Sequence, residues 1–232
     1  MEYYQLTISG TLKKDVDCKN SYEEIGKTIN HVMGYDNYLK ELHERKGIKF
    51  YVFSSFHPTE IDKVYKGEKT YSFQVRSIDG NFIIRLKNCF EIIKNDLLNV
   101  NTTDLKAKKV YFIDELYTKT PAVAVIDRKR HWTLNDYSLN VLMDRIRKNT
   151  VRKYEEWYKK PVKSNFDFIE SIRILNSSPI VIPYKGGIVL SNKMILKIRK
   201  DPLSQKLGGI ILATGLLEKN SSLGCGFTTF KK

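Results

Sequence analysis

The sequence predicts an α+β chain in which one ferredoxin-like βαββαβ unit is written twice, residues 1–118 forming the first and residues 119–232 the second. Three observations lead there. Stretches of period-2 alternation and of helical spacing follow one another as strand, helix, strands, helix, strand; the same order begins again past Thr118-Lys119-Thr120-Pro121; and 232 residues divide into two units of about a hundred each.

In the first unit, Tyr4, Leu6 and Ile8 fall on one face of an opening strand, with Tyr3, Gln5, Thr7 and Ser9 on the other. Ser21 with Glu24 reads as a capping box. Ile25, Ile29, Val32, Leu39 and Leu42 then recur at helical spacing, so a helix is predicted over 22–44, kinked or divided at Gly34. Phe50-Tyr51-Val52-Phe53 is a short apolar strand. After a polar stretch from His57 to Lys69, Tyr71, Phe73 and Val75 alternate up to Asp79-Gly80, a hairpin signal beyond which Phe82, Ile84 and Leu86 resume the alternation. Asn88 and Glu91 then open a short helix through Phe90, Ile93 and Leu97, and residues 110–115 close the unit as a strand.

The second unit is predicted to run through a strand from Ala122 to Ile126, a long helix over 135–159 and strands within 166–175. A hairpin region follows over 180–198 around Gly186-Gly187 and Asn192. Pro202, whose fixed φ suits a first helical turn, opens a helix through Leu207, Ile210 and Ile211, and residues 225–230 form the last strand.

The balance of charge selects a class of partner. Forty Lys and Arg against twenty-six Asp and Glu give a formal charge of +14, beside fourteen Tyr, eleven Phe and two Trp. Such a surface suits a polyanion, and nucleic acid ranks ahead of an anionic membrane. No apolar run approaches the roughly 20 residues of a membrane span, and no segment has the layout of a signal peptide, so no membrane role and a cytoplasmic location are expected. Cys18, Cys89 and Cys225 make neither a disulfide framework nor a CxxC pair and read as ordinary thiols. The absence of HExxH, CxxC, GxSxG and paired-carboxylate signals argues against zinc proteolysis, zinc-finger binding and esterase chemistry, and neither metal nor cofactor is expected.

Basic residues concentrate in three places. Arg128-Lys129-Arg130-His131 is a cationic loop ahead of the long helix. The later half of that helix interleaves Arg145, Arg147, Lys148, Arg152, Lys153, Lys159 and Lys160 with Tyr154, Trp157 and Tyr158. A strand face gathers Lys193, Lys197 and Arg199 while Met194, Leu196 and Ile198 point to the core. To these the C-terminal region adds a glycine-rich, lysine-bearing loop, residues 214–227, whose glycines permit φ > 0 and whose successive N–H groups form an anion nest beside Lys219. Among the four histidines, His43 stands where the first helix stops, six residues before Lys49. It is a histidine that the helix dipole favours structurally, or one that serves as general acid or base beside a lysine holding phosphate.

The run Glu218-Lys219-Asn220-Ser221-Ser222-Leu223-Gly224-Cys225-Gly226-Phe227 resembles the C-terminal glycine-rich loop of the CRISPR repeat-processing endoribonucleases in the repeat-associated mysterious protein (RAMP) superfamily. It differs by an extra serine and by Cys225 where an aromatic is usual. Leu42-His43-Glu44, followed by Lys49 and Phe53-Ser54, is similar to the family's segment with a histidine after helix one and a strand ending in serine. The resemblance implies a metal-independent nuclease that cuts precursor CRISPR RNA within each repeat by 2′-OH attack, leaving a 2′,3′-cyclic phosphate and a 5′-OH. It implies repeat RNA as the partner, and leaves open a CRISPR interference complex as a further one and a monomer or a homodimer as the assembly.

The same resemblance makes His43 the acid or base and Lys49 the cation. The family's helical tyrosine falls at Thr28, so His31, on the same helix, is the substitute for that third role, with Tyr38 behind it. Arg128, Lys129, Arg130, Lys193, Lys197, Arg199, Lys219, Asn220, Ser221, Gly224 and Gly226 are the expected RNA contacts. Two alternatives stay open: an inactive repeat-binding protein of the same superfamily, and a general basic RNA-binding protein.

Overall fold

A computed structural model describes residues 1–127, 130–163 and 166–231. Its first half contains β1 (Glu2–Leu12), β2 (Val16–Asp17), α1 (Ser21–Met33), α2 (Asn37–Glu44), β3 (Tyr51–Phe53), β4 (Val64–Tyr65), β5 (Thr70–Ser77), α3 (Gly80–Ile92) and β6 (Leu98–Lys109). The second contains β7 (Glu115–Thr118), α4 (Leu139–Tyr158), β8 (Ile169–Ile174), β9 (Ile180–Tyr184), β10 (Gly187–Ser191), β11 (Met194–Ile198), α5 (Pro202–Thr214), α6 (Asn220–Leu223) and β12 (Thr228–Lys231). Two antiparallel four-stranded sheets result, ordered β3-β5-β1-β6 and β12-β7-β11-β8. In both, the first strand of the unit lies between the third and the last, the order of a tandem ferredoxin-like fold.

Several elements differ from expectation for identifiable reasons. Asp79-Gly80 opens a helix instead of a hairpin. The Asp79 carboxylate accepts from the Phe82 N–H at 3.0 Å, and Phe82, Ile83, Leu86, Cys89 and Phe90 form a buried helical stripe while Ile84 stays half exposed. α3 therefore absorbs both the expected second strand and the expected short helix. The closing strand is β6, where residues 110–115 were expected. β6 is an edge strand whose polar and lysine-rich sequence suits an open edge, and a bulge opposite Ser9 and Gly10 breaks its alternation. Glu115–Thr118 instead pairs with β11 and β12, which places the expected end of the first unit inside the second sheet.

The long first helix is divided at Gly34, and Asp36 caps its second part through the Leu39 N–H at 3.0 Å. Ser21 is the first helical residue, with its hydroxyl donating to the Cys18 carbonyl at 2.7 Å, so the anticipated capping box is absent. Residues 122–126 make isolated bridges to Asn192, Glu218 and His131 in place of a strand. Residues 225–227 belong to the terminal loop.

The halves are tied together by polar and packing contacts. Buried Arg76 on β5 donates to the Thr228 carbonyl at 2.6 Å and to the Gln5 side-chain oxygen at 2.9 Å, and lies 4.1 Å from the centre of the Phe227 ring. Gly209 on α5 leaves room for Met1, whose sulfur would stand 2.3 Å from an added Cβ.

Candidate active site

His43 occupies the last turn of α2, which is anchored at Leu39 in the first core. After Glu44 the chain turns back, and the Lys49 ammonium donates to the His43 carbonyl oxygen, closing that turn onto β3. His43 is half-buried, and its Nδ1 is buried without a hydrogen-bond partner among the described residues. Burial and the Lys49 charge push its pKa below the ordinary histidine value against a smaller pull from Glu44, so the ring is neutral at neutral pH. Burial and the nearby Arg45 in turn lower Lys49. One of the three ammonium donors is committed to the His43 carbonyl, and among the described residues the other two have no partner and can meet an anion.

The other expected participants separate. His31 is exposed on α1, its Nε2 lying 3.2 Å from the Lys94 carbonyl and its ring edge-on to Tyr35 at 5.3 Å. The contacts of its ring are thus with the chain beyond α3 and with Tyr35, and with neither His43 nor Lys49. Thr28 is buried, with its hydroxyl donating to the Glu24 carbonyl at 3.0 Å. Tyr38 lies one helical turn from Leu42 on α2. It donates to the Asp79 carboxylate at 3.0 Å, and burial together with that carboxylate raises its pKa, so the phenol keeps its proton.

The glycine-rich loop is built around a lysine that sequence reasoning placed on a basic surface. Lys153 on α4 is fully buried. Its ammonium donates to the Gly215 carbonyl at 2.7 Å, to the Asn220 side-chain oxygen at 2.8 Å and to the Leu217 carbonyl at 3.2 Å. Asn220 passes the brace onward, its amide donating to the Cys225 carbonyl at 2.7 Å and the Leu216 carbonyl at 3.1 Å. Burial pushes Lys153 down to about 7, with Glu218 pulling the other way and Arg152 adding to the fall.

The loop docks on the first half through Gly224. At φ +62, a Cβ there would sit 2.4 Å from the Phe53 carbonyl oxygen. Tyr51, two residues after Lys49, donates its hydroxyl to the Ser221 carbonyl at 3.3 Å, so β3 joins the His43–Lys49 turn to the loop.

This packing occupies four of the N–H groups expected in the anion nest. The N–H groups of Leu223, Gly224, Cys225 and Gly226 bond to the carbonyls of Lys219, Asn220, Lys219 and Pro121, and Asn220, Gly224 and Gly226 are buried. Lys219 and Ser221 are the loop's partly exposed residues among those expected to contact RNA. The Lys219 ammonium lies 5.0 Å from the centre of the Tyr184 ring, and Lys185 approaches the same ring at 5.5 Å. Tyr184 and Lys185 had no signal beyond their place in a hairpin.

The expected basic segments are largely paired. Arg128 and Lys129 lie outside the described residues. Arg130 is exposed and ion-paired with Asp127 at 2.5 Å. On α4, Arg145 holds Glu218 at 2.8 Å, Lys148 holds Asp144 at 2.7 Å, and Arg147 reaches Asp167 at 3.5 Å, while Tyr154 is core and Trp157 packs edge-on against Phe50 at 5.1 Å. Those three cations of the half-helix are paired, while Arg152, Lys159 and Lys160 remain exposed. Met194, Leu196 and Ile198 do face the core, and opposite them Lys197 meets Glu170 at 3.0 Å and Arg199 meets Asp167 at 3.7 Å, with Lys193 half-buried beside them. No helix among the described residues is long and apolar enough to cross a membrane.

No family model matches the chain. It is 29% identical over 246 aligned positions to the CRISPR-associated endoribonuclease Cas6 2 of Methanocaldococcus jannaschii, covering 96% of this chain and 98% of that protein. Three solved structures superpose over 99% of this chain. They are a CRISPR-associated protein Cas6 (TM-score 0.76, 16% identity, all of that chain), a RAMP protein binding different RNA substrates (0.72, 19%, all of that chain), and a Cas6-related protein from Pyrococcus furiosus (0.71, 18%, 99% of that chain). The structural likenesses show the fold. The sequence relative, a CRISPR-associated endoribonuclease, is similar to this chain over nearly its whole length.

Proposed function

We propose that this chain is an endoribonuclease that cuts precursor CRISPR RNA within its repeats, without metal, by attack of a ribose 2′-oxygen on the adjacent phosphate. One observation carries the reading most: a neutral histidine and a lysine with unused donors share a single turn that is tied through Tyr51 to the glycine-rich loop. His43 takes the 2′-OH proton, Lys49 faces the negative charge that builds on the pentacoordinate phosphate, and the 5′-oxygen leaves as a hydroxyl with a proton from a second group. Tyr38, protonated and on the same helix as His43, takes that last role in this reading in preference to His31, whose ring meets Lys94 and Tyr35.

Repeat RNA is the partner, met by Lys219 and Ser221 of the loop and by the outward cations Arg130, Lys193, Lys197 and Arg199. The two units divide at 110–114, between β6 and β7. A repeat-binding protein without cleavage is the second reading, favoured by the buried Thr28 at the position of the family's tyrosine. Incubating repeat RNA with the protein in excess EDTA separates the two. Cleavage that His43→Ala abolishes supports the nuclease, and tight binding without product supports the alternative.

A further inference from the structure

Beside the His43–Lys49 turn, α2, β3, the start of α3 and the end of α4 enclose a cavity of about 300 Å³, at the lower end of small-ligand sites. Its walls come from both halves of the chain. Tyr38, Leu42 and Arg45 flank His43 in sequence, and Trp157 and Glu156 enter from α4. The cavity contains two carboxylates in a chain of charge +14.

Asp79 is oriented by the Phe82 N–H and the Tyr38 hydroxyl. Glu156, half-buried, has neither hydrogen bond nor ion pair among the described residues, although Arg45 and Lys159 line the same cavity. Carboxylates only accept hydrogen bonds, so an occupant that meets Asp79 and Glu156 has to bring donors. Trp157, packed against Phe50, contributes an aromatic ring to the wall.

Resting on the nuclease reading above, we propose that this cavity is the subsite for a nucleobase near the scissile phosphate. It selects a base with an exocyclic amino group, which Glu156 and Asp79 receive while Trp157 packs on the ring. Uracil would set carbonyl oxygens against carboxylates and be rejected. Arg45, which lines the cavity near Lys49, is available to the attached phosphate. Splayed bases held against aromatic rings and read along their edges are the usual way in which single-stranded RNA is recognised.

The test scans every position of the repeat RNA with each of the four bases and with purine riboside, which lacks the amino group. Affinity is measured by filter binding and cleavage on denaturing gels, for the wild type, Glu156→Gln and Glu156→Ala. At one position next to the cut, loss of the amino group is expected to weaken wild-type binding about tenfold. Glu156→Ala flattens that preference, and Glu156→Gln, which both donates and accepts, admits uracil there. A base preference unchanged in Glu156→Ala, or no dependence on the base beside the cut, overturns the subsite. Glu156-dependent selection by a protein that binds but never cleaves supports the subsite and overturns the nuclease reading instead.

Discussion

Replacing Lys153 with Met tests how the loop is built. Met keeps an unbranched side chain one atom shorter and removes every donor, leaving the Gly215 and Leu217 carbonyls and the Asn220 side-chain oxygen without their ammonium. Each buried acceptor left dry costs about 1–3 kcal/mol, or roughly 3–9 kcal/mol for the three. The buried charge disappears as well. Its proton affinity falls from 10.5 to about 7, and that shift corresponds to roughly 5 kcal/mol of relief.

Global stability should therefore change by between about 2 kcal/mol in favour of the variant and about 4 kcal/mol against it, while the loop loses the brace that holds Leu217 and Lys219 at positive φ. Affinity for repeat RNA is expected to fall about tenfold or more, which corresponds to about 1.4 kcal/mol. Proton linkage supplies a second readout. Unfolded lysine holds its proton to about pH 10, whereas folded Lys153 releases it from about pH 7, so this residue makes stability rise with pH across that window. Lys153→Met should lose that rise. Urea unfolding between pH 6 and 10 and fluorescence anisotropy with labelled repeat RNA measure both effects. Wild-type affinity together with an unchanged pH slope would refute the reasoning.

Lys49→Met removes a cation that lowers the His43 pKa, so the ascending limb of the cleavage pH profile should move to higher pH as the residual rate falls; a limb that stays in place would detach His43 from the reaction. Gly224→Ala places a methyl 2.4 Å from the Phe53 carbonyl oxygen at positive φ and should cost about 2 kcal/mol or more, read as a lower Tm. Lys219→Met should weaken RNA binding across sequences and reduce the slope of log affinity against log salt by about 0.7, the contribution of one phosphate on a single strand.

The doubled strand and helix order was legible because β1 alternates, α4 carries a helical stripe and Pro202 marks the start of the apolar α5. Asp79-Gly80 was not, since the same pair serves a hairpin or a helix cap, and only the burial of Phe82 and Ile83 with the exposure of Ile84 decides between them. β6 was hidden by its edge position and its bulge.

At the site, spacing and resemblance together brought out His43 and Lys49, and the structure puts them in one turn. The loop was read by composition as a ligand surface, yet its glycines and Asn220 are occupied in packing against Phe53, Leu216 and Lys153. A signal for Lys153 did exist: Leu142, Ile146, Thr150, Lys153 and Tyr154 form one buried helical stripe, so this lysine falls on the inner face of α4. The cavity walled by Tyr38, Glu156 and Trp157 had none, because it joins residues more than a hundred positions apart.

The most direct measurement is the chemistry of the cut ends made in excess EDTA. The account predicts a 2′,3′-cyclic phosphate on one fragment and a 5′-hydroxyl on the other, with both products gone in His43→Ala. A 3′-hydroxyl with a 5′-phosphate, a requirement for metal, or full cleavage by His43→Ala would contradict it.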